Sequence, residues 1–534
     1  MDISPDKQNV DSVFSNTAYF IDFYQRDYRW GEEPVLRLLN DIFFKFREQY
    51  ARSAELEPSP EAITEYYPWY YLSTYVTNVV NGRTYVVDGQ QRLTTLSLIL
   101  IKLRHIAKVF ESPLQGWIES KIGGQQGFER YYWMNHVNHK ATQEALFKGV
   151  PLDKTPVGSG ITAENMVANY RTISYFLDNE LHTKHYFETF VFYFLNRLVL
   201  INLCVEQTDV SMVFEVINDR GVRLCPYEIL KGKLLGQIDK IELDRDGYNK
   251  LWEERANTIN EFKEDEMDAF FRFFLKAKFS NTRKEGQRFD GEYHREMFSE
   301  KMDAKLSLLH NPTRVKEFLK QEYNYYTNLF IKLQKHYGKD QDTFRGLFYN
   351  ELIELDAPFH LILSACVEED PQEDEKIRTI SREIDRFFTL LQVQNAYDSN
   401  DFSMNIFHIS EKIRNRSVDA VRTAFDEVLK KTIADRRGVE EAEPLSYAAF
   451  RQTGLLNLNI RFVRYFFGRI DEFLAQETKV EARHKLSDLV TKKGHVNGFH
   501  VEHILARNEE NLALFDDDEE RFEQQRNRLG GILL

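Results

Sequence analysis

Three short stretches hold side chains whose types and spacing could do chemistry. In VVDGQQRLTTL, Val86 to Leu96, an acid, a glycine, two amides and an arginine stand where an apolar, strand-like pair gives way to a leucine-spaced run. A helix opening directly after a strand presents unpaired N–H groups and a partial positive charge, an arrangement that binds phosphate. There Gly89 lets the backbone approach a ligand, Arg92 can grip phosphate oxygens in a fork, and Asp88 can hold a metal or orient water. Gln90 and Gln91 can serve the ligand or cap the turn itself. A polar turn, a phosphate cradle and a contact surface for another protein all fit these residue types. The stretch lacks G-x-x-x-x-G-K-[ST], so it is not a P-loop.

The second stretch, YQRDYRW, repeats the pair as Gln25-Arg26 between Tyr24 and the aromatics Tyr28 and Trp30. Two Gln-Arg pairs beside aromatic rings could wall one pocket, with arginines on phosphate and a ring under a base. Equally, the rings fit a core and Arg29 a surface ion pair. The third stretch is GFHVEHILARNEEN, Gly498 to Asn511. Alternation of Phe499 and Val501 with His500 and Glu502 predicts a short strand with His503 at its end. A Glu-His pair suits a metal-dependent nuclease, the carboxylate holding a divalent ion and the neutral imidazole deprotonating water. It also suits a strand with no chemistry at all. H-E-x-x-H is missing, which argues against a zinc protease.

These residues need elements to hold them. An extended piece to Trp30 precedes a helix starting near Glu32-Glu33-Pro34, with Leu36, Leu39, Ile42, Phe43 and Phe46 at helical spacing. ARSAELEPSPEAITE, with two prolines, reads as a loop. YYLSTYVTNVV and RTYVVDG, joined through NGR, read as a hairpin, after which Leu93, Leu96, Ile99, Leu100, Leu103 and Ile106 predict a helix. RLVLINLCVE, Arg197 to Glu206, reads as a strand, and the following segment as a helix, a turn at Asn218 to Gly221 and another helix. From Tyr248 to Leu429 aromatic and charged residues recur at helical spacing without a fixed repeat. The expected division is 1–240, 241–433 and 434–534, a mixed α/β domain followed by mainly α ones.

The 534 residues, 42% hydrophobic with 41 Phe and 27 Tyr, are ample for large cores. Three distant cysteines without C-x-x-C spacing exclude a zinc ribbon and point to a reducing cytoplasm. No signal peptide is evident, and the most apolar run, Phe190 to Val205, is broken by Asn196 and Arg197, so neither export nor membrane insertion is expected. A net charge of −14 is the wrong sign for nonspecific DNA coating, so any nucleic-acid contact must be local. Lys479, Arg483, Lys485, Lys492 and Lys493 make one basic region, which also fits a solvated helix face.

Together, YQRDYRW, VVDGQQRLTTL and VFEVINDRGVRLCPYEILKGKLL resemble, in order, the three N-terminal signatures of the GmrSD-like family of modification-dependent restriction endonucleases and their phage-defence relatives. The resemblance implies a ParB- and sulfiredoxin-like N-terminal domain that binds and hydrolyses a nucleoside triphosphate, GTP or ATP. It places Gln25, Arg26, Asp88, Gly89, Gln90, Gln91 and Arg92 around the nucleotide, with turnover falling to Asp88, Gln91 and Arg92. The resemblance further implies Asn218, Arg220 and Gly221 as a weaker third wall. At the other end VEHILARN resembles the start of an HNH-type ββα-metal nuclease, implying Glu502 as ligand to magnesium or another divalent metal and His503 as general base. RNRLGGILL resembles its continuation, with Gly531 where asparagine is common. The helix that supplies the last metal ligand would follow Leu534, so the region reads as incomplete and the chain is expected to cut DNA poorly. The implied partners are a nucleotide and DNA, in particular modified phage DNA. A homo-oligomer is admitted, and a sensor that binds without cutting remains the alternative.

Overall fold

In the computed structural model the described residues are 4–21, 27–127, 129–158, 161–206, 225–492 and 498–534, and they form two compact units, Met1–Gly236 and Gln237–Leu534. Asn81 and Gly82 both take positive φ, 52° and 74°, the backbone that a tight right-twisted hairpin demands. Among the described residues the strands of the first unit are β1 (Ser4–Asn9), β2 (Tyr19–Ile21), β3 (Tyr70–Val80), β4 (Arg83–Asp88), β5 (Gly123–Gln126), β6 (Glu129–Tyr132), β7 (Met134–Asn135) and β8 (Leu198–Val205). The hairpin β3–β4 sits inside a six-stranded mixed sheet of order β1-β8-β3-β4-β2-β7, while β5 and β6 pair separately. Tyr70 to Val80 is long because it pairs on both sides, parallel with β8 and antiparallel with β4. Pro5 lies on the edge strand β1, where a missing N–H costs no ladder bond.

Helices Glu32–Ser53, Gln90–Val109, Ile161–Glu180 and Lys184–Arg197 share one apolar core with the sheet. The Glu32–Ser53 helix buries Val35, Leu38, Leu39, Ile42, Phe43 and Phe46, and Phe43 stacks on Phe190 at 4.2 Å. Each fully buried side chain of this size contributes roughly 1.5–3 kcal/mol.

Two expectations need correction. Part of the stretch expected as a loop is a helix, Pro60–Tyr66: Ser59 caps it by accepting from the Ala62 N–H at 3.1 Å, and Pro60 occupies the first turn, where its missing N–H costs nothing. The C-terminal strand is shorter than the alternation predicts. Phe499 packs against His484, its ring 4.8 Å away, and pairing begins only at β9 (Glu502–His503), antiparallel to β10 (Ile532–Leu533). The expected turn at Asn218–Gly221 lies outside the described residues, and beyond it Pro226–Leu235 is helical.

The second unit is helical apart from β9–β10 among its described residues. Its centre is aromatic, with Trp252 stacked on Tyr323 at 4.8 Å and 3°. Two lysines close the C-terminal end of the Ala357–Ala365 helix: half-buried Lys278 donates to the carbonyls of Ser364 at 3.1 Å and Cys366 at 2.9 Å, and buried Lys376 donates to the carbonyl of Ala365 and to Asp370. Cys204, Cys225 and Cys366 are free thiols. Among the described residues no helix is long and apolar enough to cross a membrane.

Each unit buries a histidine whose charged form burial disfavours: His136, facing the Thr94 hydroxyl at 3.0 Å, and His360 are both pushed down to about 3. The unfolded chain protonates them near the ordinary value of about 6.5, so their contribution is intact above that pH and is lost progressively as pH falls toward about 3. Urea melts at pH 7.5 and pH 5 should show a loss of about 2 kcal/mol per histidine. His360→Gln should lose correspondingly less on acidification, and equal losses in parent and variant would refute the assignment.

Candidate functional site

At the junction of β4 and the Gln90–Val109 helix, Gly89 takes φ 95° and lies so close to β3 that a Cβ there would meet the Cβ of Tyr75 at 2.6 Å. Only glycine meets both conditions. Tyr75 is itself fixed, donating to Oε1 of Gln8 at 2.5 Å and facing the Tyr19 hydroxyl at 3.1 Å. The helix opens without a side-chain cap, so its first N–H groups point outward unsatisfied by it. Gln90, 3% exposed, keeps an Oε1 with no partner among the described residues.

Gln91 holds the neighbouring motif. Its Oε1 accepts from the backbone N–H of Arg29 at 2.7 Å and of Trp30 at 3.0 Å, and its Nε2 donates to the carbonyl of Asp27 at 2.9 Å. One face of the Ile161–Glu180 helix grips the same segment. Thr162 accepts from the Tyr28 N–H at 3.0 Å and donates to Asp27, Asn165 donates to the Tyr28 carbonyl at 2.7 Å, and Asn169 donates to the Trp30 carbonyl at 2.5 Å. Tyr28 is fully buried, its hydroxyl 2.8 Å from Thr95. The segment Asp27–Trp30 is therefore a strap tied to two helices.

Arg92 lies under that strap, its guanidinium 5.9 Å from the Trp30 ring centre. Burial pushes its pKa down, while the fields of Asp88, Tyr71 and Tyr70 oppose the shift. Among the described residues it has no hydrogen-bond or ion-pair partner, and a desolvated cation in that state attracts an anion. Arg29 is different. Burial lowers its pKa, but Glu228 and Tyr227 outweigh that and leave it raised, and it donates to the Tyr227 hydroxyl. Tyr227 and Glu228 open the Pro226–Leu235 helix, where Glu228 accepts from the Cys225 N–H at 2.9 Å. Described parts of all three N-terminal signatures thus meet.

Of the residues singled out by sequence, Asp88, Gly89, Gln90, Gln91 and Arg92 lie together at this junction. Gln25, Arg26, Asn218, Arg220 and Gly221 lie outside the described residues. Thr162, Asn165 and Asn169 escaped the sequence reading, although polar residues at helical spacing on an otherwise buried face were the available signal.

In the second unit Glu502 is exposed, and His503 is half-buried with its Nε2 3.0 Å from Oδ1 of Asn527. At Gly531 a side chain is excluded, since a Cβ would lie 2.6 Å from the Arg526 carbonyl oxygen. Among the described residues no three His, Cys, Asp or Glu side chains gather in a way that could hold a metal ion.

A mixed sheet with helices packed on it makes the first unit an α/β domain. Residues 10–235 match the family model of the GmrSD restriction endonuclease N-terminal domain. This part of the chain is thus similar to the N-terminal domain of that family. No curated protein matches the chain.

Gly89→Ala should destabilise the first unit by about 1–3 kcal/mol or more, because it adds positive-φ strain to a collision with β3. Gln91→Leu unpairs three backbone groups and should cost about 1–3 kcal/mol. Differential scanning calorimetry reads both, and a Gly89→Ala protein as stable as its parent would contradict this geometry.

Proposed function

We propose that the first unit binds and hydrolyses a nucleoside triphosphate, and that the second carries a DNA nuclease centred on Glu502 and His503, the pair acting in defence against phage DNA. The observation that carries the first half is the half-buried Arg92 guanidinium, unpaired among the described residues, at an uncapped helix N-terminus. Phosphate oxygens satisfy both features at once, and the Trp30 ring beside Arg92 offers an apolar wall. The Gln90 carbonyl faces no described partner and can accept from a ligand donor. Asp88, in the field of Arg92, is placed to orient water or a phosphate-bound cation, while Gln91, committed to the strap, acts by positioning. The match of residues 10–235 to the N-terminal domain of a restriction endonuclease supports the DNA half.

In that half His503 takes the proton of a water whose oxygen bonds to phosphorus. The P–O bond to the departing sugar oxygen breaks, and that oxygen takes a proton from solvent. Glu502 would be one ligand of a divalent ion, whose chemistry is to neutralise charge on the phosphate. The described residues there supply one carboxylate rather than a complete set, so no step is routed through the ion. That same sparseness favours a second reading, a nucleotide-dependent sensor that binds DNA or protein without cutting it.

Arg92→Ala should weaken nucleotide binding by roughly ten- to a hundredfold, the loss of one charge-assisted contact of about 1.5–3 kcal/mol. Asp88→Ala should lower turnover more than binding. Isothermal titration and phosphate release with each NTP measure these effects, and unchanged affinity and hydrolysis in a folded Arg92→Ala protein would refute the site. Modified and unmodified plasmids, incubated with magnesium and with or without NTP, test the nuclease. Slow cleavage is expected, abolished in His503→Ala while NTP hydrolysis persists. Cleavage unchanged by His503→Ala would favour the sensor.

A further inference from the structure

His503 has two ring nitrogens, and only one can serve as a base in the neutral ring. Its Nε2 lies 3.0 Å from Oδ1 of Asn527. The orientation of that amide follows from its other partner: Nδ2 of Asn527 lies 2.7 Å from the carbonyl oxygen of Glu523 and 3.0 Å from its Oε2, and both of those are acceptors. The NH2 end must therefore face Glu523, and the oxygen must face the imidazole. Burial opposes ionisation of Glu523, but hydrogen bonds from Arg526 and Asn527 and the field of Arg507 leave its carboxyl below the ordinary value, so it remains an acceptor.

We propose that Asn527 is a positioning residue that holds His503 in the Nε2–H tautomer and so presents Nδ1 as the lone-pair nitrogen. Its use in catalysis rests on the nuclease reading above, whereas the tautomer itself rests on the hydrogen bonds alone.

The backbone supports the relay from two sides. β9 and β10 bring His503 opposite Ile532, and the Ile504 N–H donates to the Gly531 carbonyl at 2.9 Å. The Asn527 carbonyl accepts from the Leu455 N–H at 2.7 Å, and the Leu529 N–H donates to the Thr453 carbonyl at 3.3 Å. Gly454 admits that contact because a Cβ there would fall 2.4 Å from the Asn527 oxygen. The chain Arg526–Glu523–Asn527–His503 therefore has a fixed donor direction at every link: guanidinium to carboxylate, amide to carboxylate, imidazole to amide oxygen. A second-sphere partner of this kind sets which nitrogen of a histidine reacts without touching the substrate.

The test uses the full chain labelled with 15N-histidine, at a pH above 8 where an ordinary imidazole is neutral. Long-range proton–nitrogen correlation gives the tautomer, and subtraction of a His503→Gln spectrum assigns the signal. The expected result is an Nε2–H tautomer for His503 with an Nε2 proton protected from solvent exchange. That protection should vanish in Asn527→Leu and in Glu523→Ala, the second of which leaves both the imidazole and its amide partner in place. An Nδ1–H tautomer in the parent, or a protected Nε2 proton that survives both substitutions in folded proteins, overturns the proposal. On DNA, Asn527→Leu should lower kcat by about 10- to 100-fold with KM unchanged. If the parent fails to cut at all, the nuclease reading fails, while the spectra still decide the tautomer.

Discussion

One side-chain amide organises the first unit. Gln91 binds the backbone of Asp27, Arg29 and Trp30 through both its oxygen and its nitrogen, joining segments more than sixty residues apart in sequence. An amide can do this because it offers an acceptor and donors on one rigid plane, matching the alternation of N–H and C=O along a strap. The consequence reaches past the strap. With Trp30 held in place, Arg92 has an aromatic neighbour, and with Arg29 held in place, the Pro226–Leu235 helix has a polar tie to the same site through Tyr227.

The site depends equally on a place where side chains are excluded. Gly89 turns the chain from β4 into the helix at a φ other residues resist, and its missing Cβ lets β3 approach. Arg92 follows within the first turn, so its partial burial and the helix start coincide. A cation desolvated in this way is costly unless an anion compensates it, which is why its lack of a described partner carries more weight than its mere presence in a motif.

The second unit solves a different problem. Its aromatic centre, with Trp252 on Tyr323, supplies cohesion, and lysines satisfy helix carbonyls that the aromatic core cannot. The Glu502–His503 region has little apolar burial of its own. Hydrogen bonds among polar groups, from Glu523 through Asn527 to the imidazole, do the ordering there.

The sequence by itself determined the periodic elements. Asn81-Gly82 specified the hairpin, the leucine spacing after Arg92 specified its helix, and the short apolar run Leu198–Val205 specified a strand, because turn chemistry and side-chain pattern act locally. The glycine, arginine and glutamines of DGQQR were legible as a ligand site for the same local reason. What each glutamine does was not legible: Gln91 ties the strap while Gln90 is buried with no partner for its oxygen among the described residues, a difference set by partners distant in sequence. The pairing of the short strands β2 and β7 was also hidden, since two or three residues carry no period and are held only because β4 offers a partner to β2 and β2 offers one to β7. The amide of Asn527 on His503 depends on β9 meeting β10, a non-local pairing that no spacing in VEHILARN encodes. Tertiary structure alone decided which of the polar groups within reach would become hydrogen-bond partners.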